Sequence, residues 1–107
     1  MVSTAVGCYG AVSRFLGALA TTLRRWDEAA QHFEDALAMN ARMGALPWLA
    51  HTQHRYGLML IQRNRSGDRD KAITLLDTAL TTARELEMRA LGARLTDALA
   101  QITTKLH

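Results

Sequence analysis

His51 and His54 stand three residues apart, a spacing that can set two imidazoles on one face of a helix and offer them to a transition metal. A working site needs a third or fourth ligand, and none lies at a suitable spacing beside this pair. The two histidines therefore read as solvated or groove-lining side chains. Cys8 is the single cysteine. As a nucleophile it would need a base to lower its thiol pKa, and no histidine is near it in sequence, so a small buried hydrophobe is the better reading. There is no Gly-rich phosphate loop ending in Lys-Ser or Lys-Thr. The residues assemble no catalytic, cofactor-binding or metal-ligating set, and the expectation is a protein that is not an enzyme and carries no cofactor.

Three further features bear on binding. The Arg63–Lys71 stretch is rich in cations and could dock an acidic partner, although a solvated loop is the simpler reading given the weakness of exposed ion pairs. Trp26 and Trp48 could anchor a ligand, but their places read as packing between helices. The net charge is +3 with a sequence pI near 9.6, which raises nucleic acid as a partner. The cations run from Arg14 to Lys105 and alternate with acids, whereas a nucleic-acid surface gathers them on one face. No segment approaches the uninterrupted apolar length of a membrane span, and the lone cysteine points to a reducing cytoplasm.

The elements that hold these residues repeat. Ala29, Phe33, Ala36 and Leu37 return as Ala72, Leu76, Ala79 and Leu80, each 43 residues later. A fixed period of this size marks stacked supersecondary units. Apolar residues three and four apart predict five helices. The first runs from Gly7 or Tyr9 to Leu23, with Val12, Phe15, Leu16, Leu19 and Leu23 as its stripe and Gly17 at a close crossing. The second runs from Trp26 or Asp27 to Met43, stopped by Gly44. The third opens at Pro47 and reaches Arg63, burying Trp48, Thr52, Tyr56, Met59 and Leu60, with Gly57 at another crossing. The fourth spans Asp68 to Leu86 and ends at Glu87, where the first copy has Gly44. The fifth spans Met88 to Leu106 and reads as the first half of a third unit. At 107 residues the chain is expected to be one domain: repeat one over 9–44, repeat two over 46–87, and a capping helix over 88–106. An unpartnered fifth helix would expose part of its stripe, so self-association through the terminal helices is expected.

Leu16-Gly17, Trp26-Asp27-Glu28-Ala29, Phe33 and Ala36-Leu37 resemble the tetratricopeptide repeat, and Tyr56-Gly57, Ala72, Leu76 and Ala79 form a second, longer copy without the usual closing Pro. The resemblance implies an all-α fold of antiparallel hairpins, about five helices in a right-handed superhelical stack. A narrower resemblance rests on Arg25-Trp26-Asp27-Glu28-Ala29, on Ala38 to Gly44 and on Pro47 to Thr52. It is to the C-terminal helical-repeat tails of large bacterial signalling ATPases and cyclase-linked transcriptional regulators, which act as sensors or scaffolds. Eleven Arg against two Lys suits a high-GC bacterial source.

In tetratricopeptide arrays the first helix of each unit lines a concave groove for a peptide or protein segment. Carried over, the resemblance assigns Arg14, Ala18 and Thr21 from the first helix and His51, His54, Leu58 and Gln62 from the third. The fifth contributes Arg94, Asp97, Gln101 and Lys105. Arg14, Arg94 and Lys105 make this face mildly basic, suited to an acidic segment or a C-terminal carboxylate. The implied function is a non-catalytic protein-interaction module.

Overall fold

The computed structural model describes residues 13–105, with side chains through Ile102. Cys8, Val12 and Leu106 lie outside the described residues, as does the start of the first helix. Within those limits the chain is an all-α stack of antiparallel helices: α1 (described over 13–22), α2 (Trp26–Met43), α3 (Leu46–Arg63), α4 (Asp68–Glu85) and α5 (Arg89–Lys105). It is elongated, with extents of 50 × 32 × 19 Å.

Local chemistry accounts for the helix boundaries. Asp27 and Glu28 lie in the first turn of α2, and Asp68 and Asp70 in that of α4. There they complement the positive pole of the helix. Pro47 occupies the first turn of α3, where its missing N–H costs nothing. Three helices then end in the same way. Arg24, Gly44 and Glu87 take φ values of 57°, 67° and 56°. Each donates its N–H to the carbonyl three residues back, while the next residue donates to the carbonyl five back: Arg25 to Ala20, Ala45 to Asn40 and Met88 to Ala83. This paired left-handed cap satisfies carbonyls that the helix leaves open. The turn without glycine at Glu87 thus adopts the glycine geometry regardless.

The hairpins close through the repeated small–large pair. A Cβ placed on Gly17 would come within 2.9 Å of the Phe33 ring, and one on Gly57 within 2.9 Å of the Leu76 side chain. Both glycines exist to admit a bulky residue from the following helix. Around the first pair, Ala20, Ala29, Phe33, Tyr56, Met59, Leu60 and Ala72 form one buried cluster. Around the second, Leu76, Ala79, Leu80 and Ala83 meet Ala50, Leu91, Leu95, Ala98 and Ile102. Phe33 and Tyr56 stack with ring centroids 5.4 Å apart, and the Tyr56 hydroxyl donates to Glu34 at 2.6 Å.

Several apolar positions depart from the sequence expectation. α1 buries only Ser13, Gly17 and Ala20. Its large side chains face outward: Phe15 is 67%, Leu16 36%, Leu19 46% and Leu23 58% exposed. The reason is that Phe33 enters at Gly17, so α2 meets the small face of α1. Leu86 is likewise exposed, because α4 ends one residue before it. Conversely, α5 does not bare the described part of its stripe. Leu91, Leu95 and Ile102 are buried against α4 and α3, and the outward residues Arg94, Thr96, Asp97 and Gln101 are exposed and polar. The argument for self-association through the fifth helix therefore fails, since its apolar face is already covered from within.

Candidate protein-binding groove

One side of the stack is formed by α1, α3 and α5, with α2 and α4 behind them. The hairpin locks fix this arrangement: with Gly17 turned toward Phe33 of α2 and Gly57 toward Leu76 of α4, residues on other sides of α1 and α3 line hollows between the helices. A hollow of about 170 Å³ between α1 and α3 is lined by Ala18, Thr21, Thr22, Phe33, Arg55, Leu58, Met59 and Gln62. A second, of about 200 Å³ between α3 and α5, is lined by Leu58, Ile61, Gln62, Ala98, Gln101 and Ile102. Leu58 and Gln62 line both, so the two hollows flank the same stretch of α3.

The structure brings together most of the residues assigned from the repeat pattern. Ala18, Thr21, Leu58, Gln62 and Gln101 line these hollows, and Arg14 lines a third with Phe15, Ala18 and Arg55. Asp97 is exposed on α5 and is not among the lining residues. The Lys105 side chain lies outside the described residues. His54 does not share an exposed face with His51, being only 8% exposed. It sits one residue before Arg55 on the side of α3 that turns inward, which three-residue spacing alone does not reveal.

Two residues of the groove escaped the sequence reading. Arg55 lines both hollows of the α1 side; as the residue before Tyr56-Gly57 it was visible only as an unassigned charge. Trp48 is not core but 48% exposed. The Arg14 guanidinium lies 4.9 Å from its ring centroid, and the His51 ring stands 6.3 Å away, tilted. This cation–π contact ties the rim of α1 to the start of α3.

Electrostatically the site is a cluster of cations. Burial, and then Arg14, Arg94 and Arg55, hold the His51 pKa below its ordinary value. Burial, and then Arg55, Arg94 and His51, push that of His54 down to about 4. Burial and the nearby Arg55 also lower Arg14. Both imidazoles are thus neutral near pH 7, and the positive charge belongs to the three arginines. Among the described residues, the ion pairs are made by Arg25, Arg63, Arg65 and Lys71, and none by Arg14, Arg55 or Arg94.

The cation-rich Arg63–Lys71 stretch is different. Arg63 binds Asp68, Arg65 binds Asp27 at 2.8 Å, and Lys71 binds Glu34 at 2.7 Å. Three of its cations are therefore engaged: Arg63 ties the end of α3 to the start of α4, and Arg65 and Lys71 tie the loop and α4 to α2. Among the described residues no group of three or more His, Cys, Asp or Glu side chains is gathered to hold a metal. No described helix is long and apolar enough to cross a membrane.

With this geometry in hand, comparison with known proteins is informative at the level of fold. A tetratricopeptide-repeat family model matches residues 13–44, the span of α1, α2 and the Gly44 cap. No curated protein and no solved structure matches the chain. The fold is an all-α, tetratricopeptide-like helical stack, and repeats of this kind generally mediate protein–protein interaction.

Proposed function

We propose that this chain is a non-catalytic, cytoplasmic protein-interaction module whose α1–α3–α5 groove takes an acidic segment, or a C-terminal carboxylate, of a partner protein. The observation that carries this reading is the gathering of Arg14, Arg55 and Arg94 around His51, with no carboxylate paired to them among the described residues. Guanidinium forks match carboxylates geometrically, and the apolar floor at Leu58 and Ile102 offers side-chain contacts between them. Titration with a fluorescent acidic peptide bearing a free C-terminus tests it. Binding should weaken at least tenfold with Arg55→Glu, and it should fall as salt rises. Equal binding of acidic and neutral peptides would overturn the reading.

The larger setting we propose is the sensor or regulatory tail of a bacterial signalling or transcription-regulating ATPase. It is supported by the resemblance of Arg25–Ala29, Ala38–Gly44 and Pro47–Thr52 to such tails. The alternative is a free-standing adaptor. An immunoblot of source-cell lysate separates them: a band near the 11.8 kDa of this chain supports the adaptor, and one several times larger supports the tail.

A further inference from the structure

Two hollows adjoin along the cleft between α1 and α3, and they differ in chemistry. One, of about 190 Å³, is lined by Arg14, Phe15, Ala18 and Arg55. It holds two guanidiniums, and neither pairs with a carboxylate among the described residues. The other, of about 170 Å³, shares Ala18 and Arg55 with the first and extends to Thr22 and Gln62, with Phe33 and Met59 beneath and Leu58 at its side. Its hydroxyls have no proton left for a ligand, since Thr21 donates to the Gly17 carbonyl at 2.8 Å and Thr22 to that of Ala18 at 3.2 Å. The first hollow is therefore matched to an anion and the second to an apolar side chain.

The helix sets the distance between them. On α1 the first hollow covers Arg14 to Ala18 and the second Ala18 to Thr22. Their centres are thus one four-residue step apart, about 6 Å at a rise of 1.5 Å per residue. An extended chain advances about 6.6 Å in two residues and returns the side chains at i and i+2 to the same face. Each hollow has room for a side chain, whereas a helix with its side chains is about 10–12 Å across. We infer that the α1–α3 cleft takes an extended partner segment in which an acidic residue and an aliphatic one stand two positions apart. The carboxylate lies between Arg14 and Arg55, where guanidinium forks can bind it, and the aliphatic side chain lies over Phe33 and Met59. This rests on the reading of the groove as a site for an acidic segment, and it adds the spacing that the segment must have. A partner residue one or three positions from the acid would point away from the cleft.

The test uses the full chain and short fluorescein-labelled peptides, read by anisotropy. Each carries one Asp and one Leu in the same Gly-Ser host, set one, two, three or four positions apart, so that composition and charge are constant. The C-termini are amidated, which leaves the Asp as the sole carboxylate. A spacing of two should bind about fivefold tighter or more than any other. That advantage should vanish when the peptide carries Ser in place of Leu, and with Leu58→Ala in the chain, whereas Arg55→Glu should weaken the peptides of every spacing. Binding that needs the Asp but is equal at all four spacings would overturn the inference and leave the acidic-segment reading standing. Tightest binding at a spacing of four, which one face of a helix presents, would also overturn it. Binding indifferent to replacement of the Asp by Asn, or none by any peptide at millimolar concentration, would overturn both.

Discussion

Arg63 and Asp68 face each other across the α3–α4 loop in a two-pronged ion pair. Nε and Nη2 of the guanidinium donate to the two carboxylate oxygens at 2.8 Å each. The Arg65 backbone N–H adds a third bond to the same carboxylate at 3.0 Å. With side-chain exposures of 15% and 7%, the pair is shielded enough for its geometry to matter, unlike an exposed pair.

Asp68→Ala strands the guanidinium and frees the loop, and should cost about 1.5–3 kcal/mol, the range for hydrogen bonds to charged groups. Urea unfolding followed by circular dichroism measures it. The Arg63 hydrogen bonds hold the Asp68 carboxyl below its ordinary value. The stabilisation is therefore complete above the ordinary carboxylate pKa of about 3.9 and is lost as pH falls through the lower folded value. Asp68→Asn should flatten the acid limb of the stability curve in that window.

His54 adds a second loss of stability on acidification, beginning at milder acidity. Its folded pKa of about 4 lies below the unfolded value, so the unfolded chain binds more protons as the pH drops from about 6.5 toward 4. The protein should lose stability across that interval, by an amount on the order of 2–3 kcal/mol. His54→Gln should remove most of this slope while leaving stability at pH 8 little changed, as thermal melts at a series of pH values would record.

Gly57→Ala places a methyl group 2.9 Å from Leu76. Overpacking of this kind costs about 1–3 kcal/mol, more than the roughly 1 kcal/mol that Ala gains over Gly in a helix. Net destabilisation of about 1 kcal/mol is expected, and Leu76→Val in the same chain should recover part of it. Strict additivity of the two substitutions would count against the lock.

Glu87→Gly should stabilise the chain. Glu87 has φ 56°, a conformation that costs a residue with a Cβ about 1–2 kcal/mol, and glycine occupies it freely. After the added entropy of the unfolded chain, a gain of roughly 0.5–1 kcal/mol remains. This corresponds to a few degrees in Tm.

The sequence carried the hairpins well because the signal for each is local and doubled. Gly17 with Phe33, and Gly57 with Leu76, announce themselves by type and by repetition, and the helix ends follow from Pro47, Gly44 and the acidic first turns. What covers a face is another matter. Phe15, Leu16, Leu19 and Leu23 show the same periodicity as Leu91, Leu95 and Ile102, yet the first set is exposed and the second buried. Periodicity states that a helix has an apolar side and says nothing about its neighbour. The hollows between α1, α3 and α5 were legible in outline for the same reason that the hairpins were, since Ala18, Thr21, Leu58, Gln62 and Gln101 line them. Arg55 and the exposure of Trp48 were not, because both depend on how far α1 is offset from α3. The Arg63–Asp68 pair spans a loop whose path has no periodic signature.

The stack also has a temporal side. Among α2 to α5 every substantial contact joins helices consecutive in the chain, apart from a smaller one between α3 and α5. A nascent chain leaving the ribosome N-terminus first can therefore complete the Gly17–Phe33 lock before Leu76 has emerged to form the second one. Short-range wiring of this sort favours fast folding and suits vectorial assembly during translation. Folding should accordingly advance hairpin by hairpin along the growing polypeptide, with α5 joining after α4.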